Sequence, residues 1–120
     1  MFKKYDFLQI CEFCKIINYL DVKESLVKLC LAISKSGGIP DDLLNRVVET
    51  LYNLNTPPNS IKVLGDSVQL KYYKEGSQSY LLFNILSDTF KLQLYDSDSQ
   101  PLCVFMLNNP IELNRYIANL

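Results

Sequence analysis

The sequence predicts an α+β domain in which an N-terminal three-helix layer packs on an antiparallel β-meander, with a C-terminal helix closing the sheet. Three observations carry this expectation. Apolar residues recur at helical spacing through the first half of the chain. After Pro57-Pro58 the period shortens towards two. The apolar runs of the second half are separated by short turn signals, too short for the crossovers that parallel strands need. The expected organisation is one domain over 1–120, with helices in 1–56, a sheet in 60–107 and a final helix in 110–120. A length of 120 residues suits a single core. Pro57-Pro58 reads as a boundary between layers rather than domains, because the helices need the sheet to bury their apolar stripes.

In the first helix, residues 5 to 20, the apolar stripe runs through Phe7, Ile10, Cys11, Cys14 and Ile17. Asp21, three residues before Glu24, opens a second helix in the manner of a capping box, since a short side-chain oxygen accepts from unpaired first-turn amides. Leu26, Leu29, Cys30 and Ile33 form its stripe, and Ser36-Gly37-Gly38 stops it. Pro40 starts a third helix, with Asp41 and Asp42 in the turn where the helix dipole favours negative charge. Its buried side is expected to be Leu43, Leu44, Val47, Val48, Leu51 and Tyr52.

The strand half begins with Ile61 to Leu64 and a turn at Gly65-Asp66. Val68, Leu70 and Tyr72 then alternate with Gln69, Lys71 and Tyr73, so one face is dry and the other wet. After the Lys74–Ser77 turn, Tyr80 to Leu86 is apolar on both faces except at Asn84, which marks a central strand. Ser87-Asp88-Thr89 turns the chain into Phe90, Leu92 and Leu94. Asp96 to Pro101 is a polar loop before the strongly apolar strand Leu102 to Leu107. Asn109-Pro110 carries the cap and first-turn signals of a last helix, with Leu113, Tyr116, Ile117 and Leu120 turned to the sheet.

Composition narrows the chemistry. The chain has no histidine, the one side chain with an unperturbed pKa near neutrality and the commonest metal ligand. Its 12 basic and 13 acidic residues are interspersed and give a net charge of −1, so there is no basic footprint for neutralising phosphates. No nucleic-acid partner is expected. Asp6 and Glu12 interrupt any signal-peptide core, and no apolar run approaches the roughly 18 residues that span a bilayer. The expected location is the cytoplasm, without membrane attachment.

Cys11-Glu12-Phe13-Cys14 places two thiols on one helical face, but only Cys30 and Cys103 are left to complete a four-ligand zinc site. A redox pair would need the first turn of a helix following a strand. Packing as small apolar groups is the expected role, and the thiols are read as reduced. Asp96-Ser97-Asp98-Ser99 lacks the glycine and glutamate of a calcium loop. No serine has a histidine to activate it, and Gly37-Gly38 is not spaced as a phosphate loop. No metal, cofactor or catalytic residue is therefore expected, and the chain reads as a binding module rather than an enzyme.

The binding residues come from the strand half. Of the eight tyrosines, Tyr72, Tyr73, Tyr80 and Tyr95 fall there, and alternation turns Tyr73 outward with Lys71 while Tyr72 points in. An outward tyrosine offers a large contact area at small entropic cost and keeps a polar tip. Tyr73, Tyr95, Asp96 and Asp98 are the expected partner-binding residues, with Lys71, Asp88 and Lys91 as rim charges. Asp88 joins the patch only if its turn lies at the same end of the sheet as the acidic loop.

From Pro57 to Tyr95 the chain runs through Gly65-Asp66-Ser67-Val68-Gln69-Leu70-Lys71-Tyr72-Tyr73, a Glu75-Gly76 turn, Leu81-Leu82-Phe83-Asn84-Ile85 and Leu92-Gln93-Leu94-Tyr95-Asp96. With the helical first half, this pattern resembles the immunity proteins of bacterial contact-dependent growth inhibition and related polymorphic-toxin systems. The resemblance implies a stoichiometric inhibitor that binds the C-terminal domain of a cognate toxin, often a nuclease, and covers its active site or an essential surface. Members of such families each fit their own toxin, so no set of functional residues is carried over by position. The alternative is a type III-like secretion chaperone of similar size, which would hold an extended effector segment. Pairing with a second copy through Leu102 to Leu107 stays open should that strand lie at an edge.

Overall fold

In a computed structural model, residues 23–76, 78–96, 98 and 100–120 are described. Helix α1 (Lys23–Ser36) buries Leu26, Leu29, Cys30 and Ile33 along one stripe. It stops where Gly37 takes a φ of 88°, returning its amide to the carbonyl of Ile33 at 3.0 Å. A residue with a Cβ is strained in that left-handed region, so the glycine signal ended the helix where expected. Helix α2 (Asp41–Asn53) follows Pro40, whose carbonyl accepts from the amide of Leu44 at 2.9 Å.

Its buried face is Leu43, Leu44, Val47, Val48, Leu51 and Thr50. Tyr52 is the exception to the expected stripe, since it is 44 % exposed. Thr50 takes an inward place because its hydroxyl donates to the carbonyl of Arg46 at 2.7 Å and so enters the core without an unpaired polar atom.

Five antiparallel strands follow: β1 (Ser60–Val63), β2 (Val68–Tyr73), β3 (Tyr80–Ile85), β4 (Phe90–Tyr95) and β5 (Pro101–Leu107). They lie side by side in chain order, a meander with β3 at its centre and β1 and β5 at its edges. The run from Tyr80 to Leu86, apolar on both faces except at Asn84, is the expected central strand, and the sheet places β3 there. The register pairs Tyr73 with Tyr80, Tyr80 with Tyr95, and Leu92 with Phe105. A bulge falls between Leu94 and Tyr95 at the start of β5.

Alternation then divides the sheet. Val68, Leu70, Tyr72, Leu81, Phe83, Ile85, Phe90 and Leu92 point inward and meet α1 and α2 in one core. Tyr72 is 1 % exposed, and its hydroxyl donates to the Thr56 carbonyl at 2.7 Å. Burial holds that phenol well above its ordinary pKa.

Asn109 caps the C-terminal segment by accepting from the amide of Ile111 at 2.9 Å. The segment starts as a 3₁₀ turn (Pro110–Glu112) before becoming helix α3 (Leu113–Ala118), whose Leu113 and Ile117 complete the core. The described residues thus form an α+β domain with two helices before the sheet and one after it. The third member of the expected helical layer, residues 5 to 20 with Cys11 and Cys14, lies outside them, as does the Asp21 cap. Cys30 is buried and Cys103 half-buried, and neither forms a disulfide. Among the described residues no helix is long and apolar enough to cross a membrane.

Candidate protein-binding face

The side of the sheet facing away from α1 and α2 carries the residues left over by alternation. At one end, Tyr73, Tyr80 and Tyr95 form a continuous row across β2, β3 and β4. The Tyr80 and Tyr95 rings stack with centroids 4.8 Å apart and planes 9° from parallel. Lys71, one pleat along from Tyr73, lays its ammonium 4.7 Å from the Tyr80 ring centroid and 5.8 Å from that of Tyr73. A cation over a ring face is held by the ring quadrupole, so Lys71 joins the tyrosines into one unit. Tyr73 is 45 % exposed.

Local hydrogen bonds fix the backbone beneath this row. The Asn59 side chain accepts from the amide of Tyr73 at 2.9 Å, and the Asn59 amide donates to the carbonyl of Lys71 at 2.8 Å. Pro57-Pro58 therefore delivers Asn59 as a clamp on the end of β2. Further along the same face, the Gln69 side-chain amide donates to Asn84 at 3.1 Å and that of Asn84 donates to Gln93 at 3.0 Å. This amide chain crosses three strands and holds the polar half of the face in one arrangement.

The charge distribution is uneven. The strands contain Lys62, Lys71 and Lys91, all on this face, and no Asp or Glu. Acidic residues sit in the turns instead: Glu75, Asp96 and Asp98 at the tyrosine end, Asp66 and Asp88 at the other. The strands carry the basic residues, and the acidic ones lie in the turns, joined at the tyrosine end by Lys74.

Of the residues expected from sequence, Lys71, Tyr73 and Tyr95 come together, and Asp96 and Asp98 adjoin them in the β4–β5 loop. The two carboxylates differ. Asp96 Oδ1 accepts from the amides of Asp98 at 2.9 Å and Gln100 at 3.0 Å, so it organises its own loop. Asp98 is exposed beyond it. Lys91 shares the face but stands four residues along β4 from Tyr95. Asp88 does not join the patch, because its turn closes the opposite end of β4, roughly 20 Å away at about 3.3 Å per residue. Tyr80, central in the row, was not among the expected site residues. The two-residue turn at Ser87-Asp88 would have found it, since counting back from the Leu86–Thr89 closing pair brings Tyr80 opposite Tyr95.

On the other side of the molecule, a cleft of about 310 Å³ lies between α2, Phe90 and the residues leading into α3. Arg46 lines it, its guanidinium carbon 3.9 Å from the Phe90 ring centroid and its Nε donating to the Leu86 carbonyl at 2.7 Å. Three of the cleft's other polar side chains bond within the fold: Thr50 to the Arg46 carbonyl, Asn53 to the Glu49 carbonyl and Asn109 to the Ile111 amide, while Glu49 and Asn108 complete its lining. The cleft is thus a joint between layers, whereas the tyrosine row presents its groups outward.

No protein-family model, curated protein or solved structure matches this chain.

Proposed function

We propose that the protein is a stoichiometric inhibitor that docks a folded toxin domain on the outer face of its sheet, an immunity protein acting by steric occlusion. The observation that carries this reading is the row Tyr73–Tyr80–Tyr95 with Lys71 across it, on the outer face of the sheet with Tyr73 exposed and Tyr80 and Tyr95 half-buried. Rigid aromatic anchors lose little entropy on binding, and burying them with the lysine stems supplies most of an interface's energy. Five strands of about six residues give a face roughly 20 Å on a side, and the turns at its ends extend it towards the about 800 Å² per partner of a standard interface. The lysines of the strands fit an acidic surface on the partner. The acidic turns, Asp98 foremost, disfavour partners that bring negative charge there, which sets choice of partner more than strength of binding.

The test is co-expression with the product of the neighbouring upstream gene, followed by size-exclusion chromatography with light scattering. The expected result is that the upstream C-terminal domain kills cells alone, is neutralised by this chain and elutes with it in equal numbers of copies. Replacing Tyr80 and Tyr95 by alanine should raise the dissociation rate at least tenfold, about 1.4 kcal/mol or more. A harmless neighbour, or unchanged protection by a folded double variant, would reject the reading. A neighbour held only as an extended, unfolded segment would replace it with the chaperone alternative.

A further inference from the structure

The two edges of the sheet are built differently. An edge strand exposes a row of unpaired amides and carbonyls, and proteins blunt such edges by shortening or charging them. β1 is four residues long and carries Lys62. β5 is seven residues long with no charged residue from Pro101 to Leu107. Its side chains are also open: Leu102 is 64 % exposed, Val104 50 % and Met106 60 %.

The hydrogen-bond pattern of the sheet says what this edge can accept. The amide of Leu86 donates to the carbonyl of Thr89 at 3.0 Å, so that pair closes the β3–β4 hairpin. Antiparallel partners alternate between bonded and non-bonded pairs. Counting on from that pair, Phe90 and Leu92 turn their backbone groups to β5, where they face Leu107 and Phe105. Val104 and Met106 therefore turn their amides and carbonyls to the outer edge. Among the described residues no strand lies there. The bulge falls at Leu102, between the Leu94–Cys103 and Tyr95–Pro101 pairs, and leaves Cys103 to Leu107 regular.

The geometry points to a second copy of this chain as the occupant, joined by antiparallel β5–β5 pairing about a two-fold axis at Val104. An extended chain pairs with the whole row of edge groups at once, and β5 is complementary to itself. With the axis at Val104, each Leu102 stands opposite Met106 of the second copy, Val104 opposite Val104, and Cys103 opposite Phe105. Every facing pair is apolar, and no charge is buried. The backbone groups that each copy turns outward at Val104 are those the other copy needs on the axis, and those of Met106 meet the bulged end of the second strand at Leu102. The result is one ten-stranded sheet. The pairing requires nothing of the tyrosine row and stands or falls apart from the toxin reading.

The experiment is light scattering of the purified full chain over a wide concentration range, with amide hydrogen exchange on the same samples. The expected mass is twice the 13.8 kDa of the chain, falling towards one chain on dilution. The Val104 and Met106 amides should be protected in the dimer and exchange faster as it dissociates. Val104→Lys, which sets two ammonium groups against each other on the axis, should leave a folded monomer. A single-chain mass at every concentration overturns the proposal, whether those amides are protected or not. So does a dimer that survives Val104→Lys. Should that variant fail to fold, the concentration dependence of exchange in the unaltered chain decides: protection that rises with the dimer supports the pairing, and a dimer that leaves the Val104 amide open overturns it.

Discussion

Tyr80 and Tyr95 face each other across β3 and β4 with ring centroids 4.8 Å apart and planes 9° from parallel. Stacked rings of this kind contribute about 0.5–1.5 kcal/mol beyond the area they bury. Tyr80→Ala and Tyr95→Ala should therefore be non-additive. In a double-mutant cycle read by urea denaturation, the pair should show a coupling of about 1 kcal/mol. Additive losses would mean that the stack is incidental to the fold.

Asp96 and Asp98 are neighbours with different work. Asp96 holds two loop amides, while Asp98 reaches into solvent. Asp96→Ala should cost about 1 kcal/mol of stability through its two lost acceptor contacts, whereas Asp98→Ala should stay within about 0.5 kcal/mol of the parent. Changing both at once would mix a loop defect with a lost surface charge. Thermal melts of the two single variants separate these effects.

Tyr72 gives the fold a dependence on alkaline pH. Its phenol is buried and its pKa in the folded state is raised, whereas in the unfolded chain it titrates near about 10. Below that pH both states keep the proton and the contribution is intact. Above it the unfolded state releases the proton first, so stability falls as pH rises, by up to about 1.4 kcal/mol per pH unit. Tyr72→Phe should cost about 1 kcal/mol at neutral pH, from the bond to Thr56, and should flatten the decline above about pH 10. Denaturation midpoints at neutral and alkaline pH measure both effects.

Gly37 isolates a backbone effect. Its φ is 88°, and an added Cβ would meet nothing within 4 Å. Gly37→Ala should thus destabilise by about 1 kcal/mol from conformation alone, and Gly37→Asn by less, because asparagine tolerates the left-handed region. Equal losses for the two would point to a contact instead.

What sequence could tell was decided by distance along the chain. Tyr72 inward and Tyr73 outward follow from pleat parity, and the stop at Gly37 follows from one residue's conformational freedom. The apolar run from Tyr80 to Leu86 marked the central strand, and its one polar exception, Asn84, is answered on the outer face by Gln69 and Gln93. The errors arose where the answer depended on other elements. Tyr52 continues the stripe of α2 by spacing but is left exposed, and the inward places of the last turn go to Leu51 and to Thr50, which bonds to Arg46. Asp88 and Asp96 are both turn residues eight positions apart, and only the hairpin direction sets them at opposite ends of β4. β5 has the composition of a buried strand, yet its place at the edge follows from the strand order of the whole meander.

That strand order also sets a schedule for the growing chain. α1 and α2 leave the ribosome before the face that covers them has been made, since the inward residues of the sheet run from Val68 to Leu107. At about 5–20 residues per second, Leu26 to Leu51 wait for seconds beside water or a chaperone. Each hairpin can then close as soon as its second strand emerges, because every strand pairs with the one made just before it. The helices are released from waiting in steps, one strand at a time, and β5 is the last strand to be made.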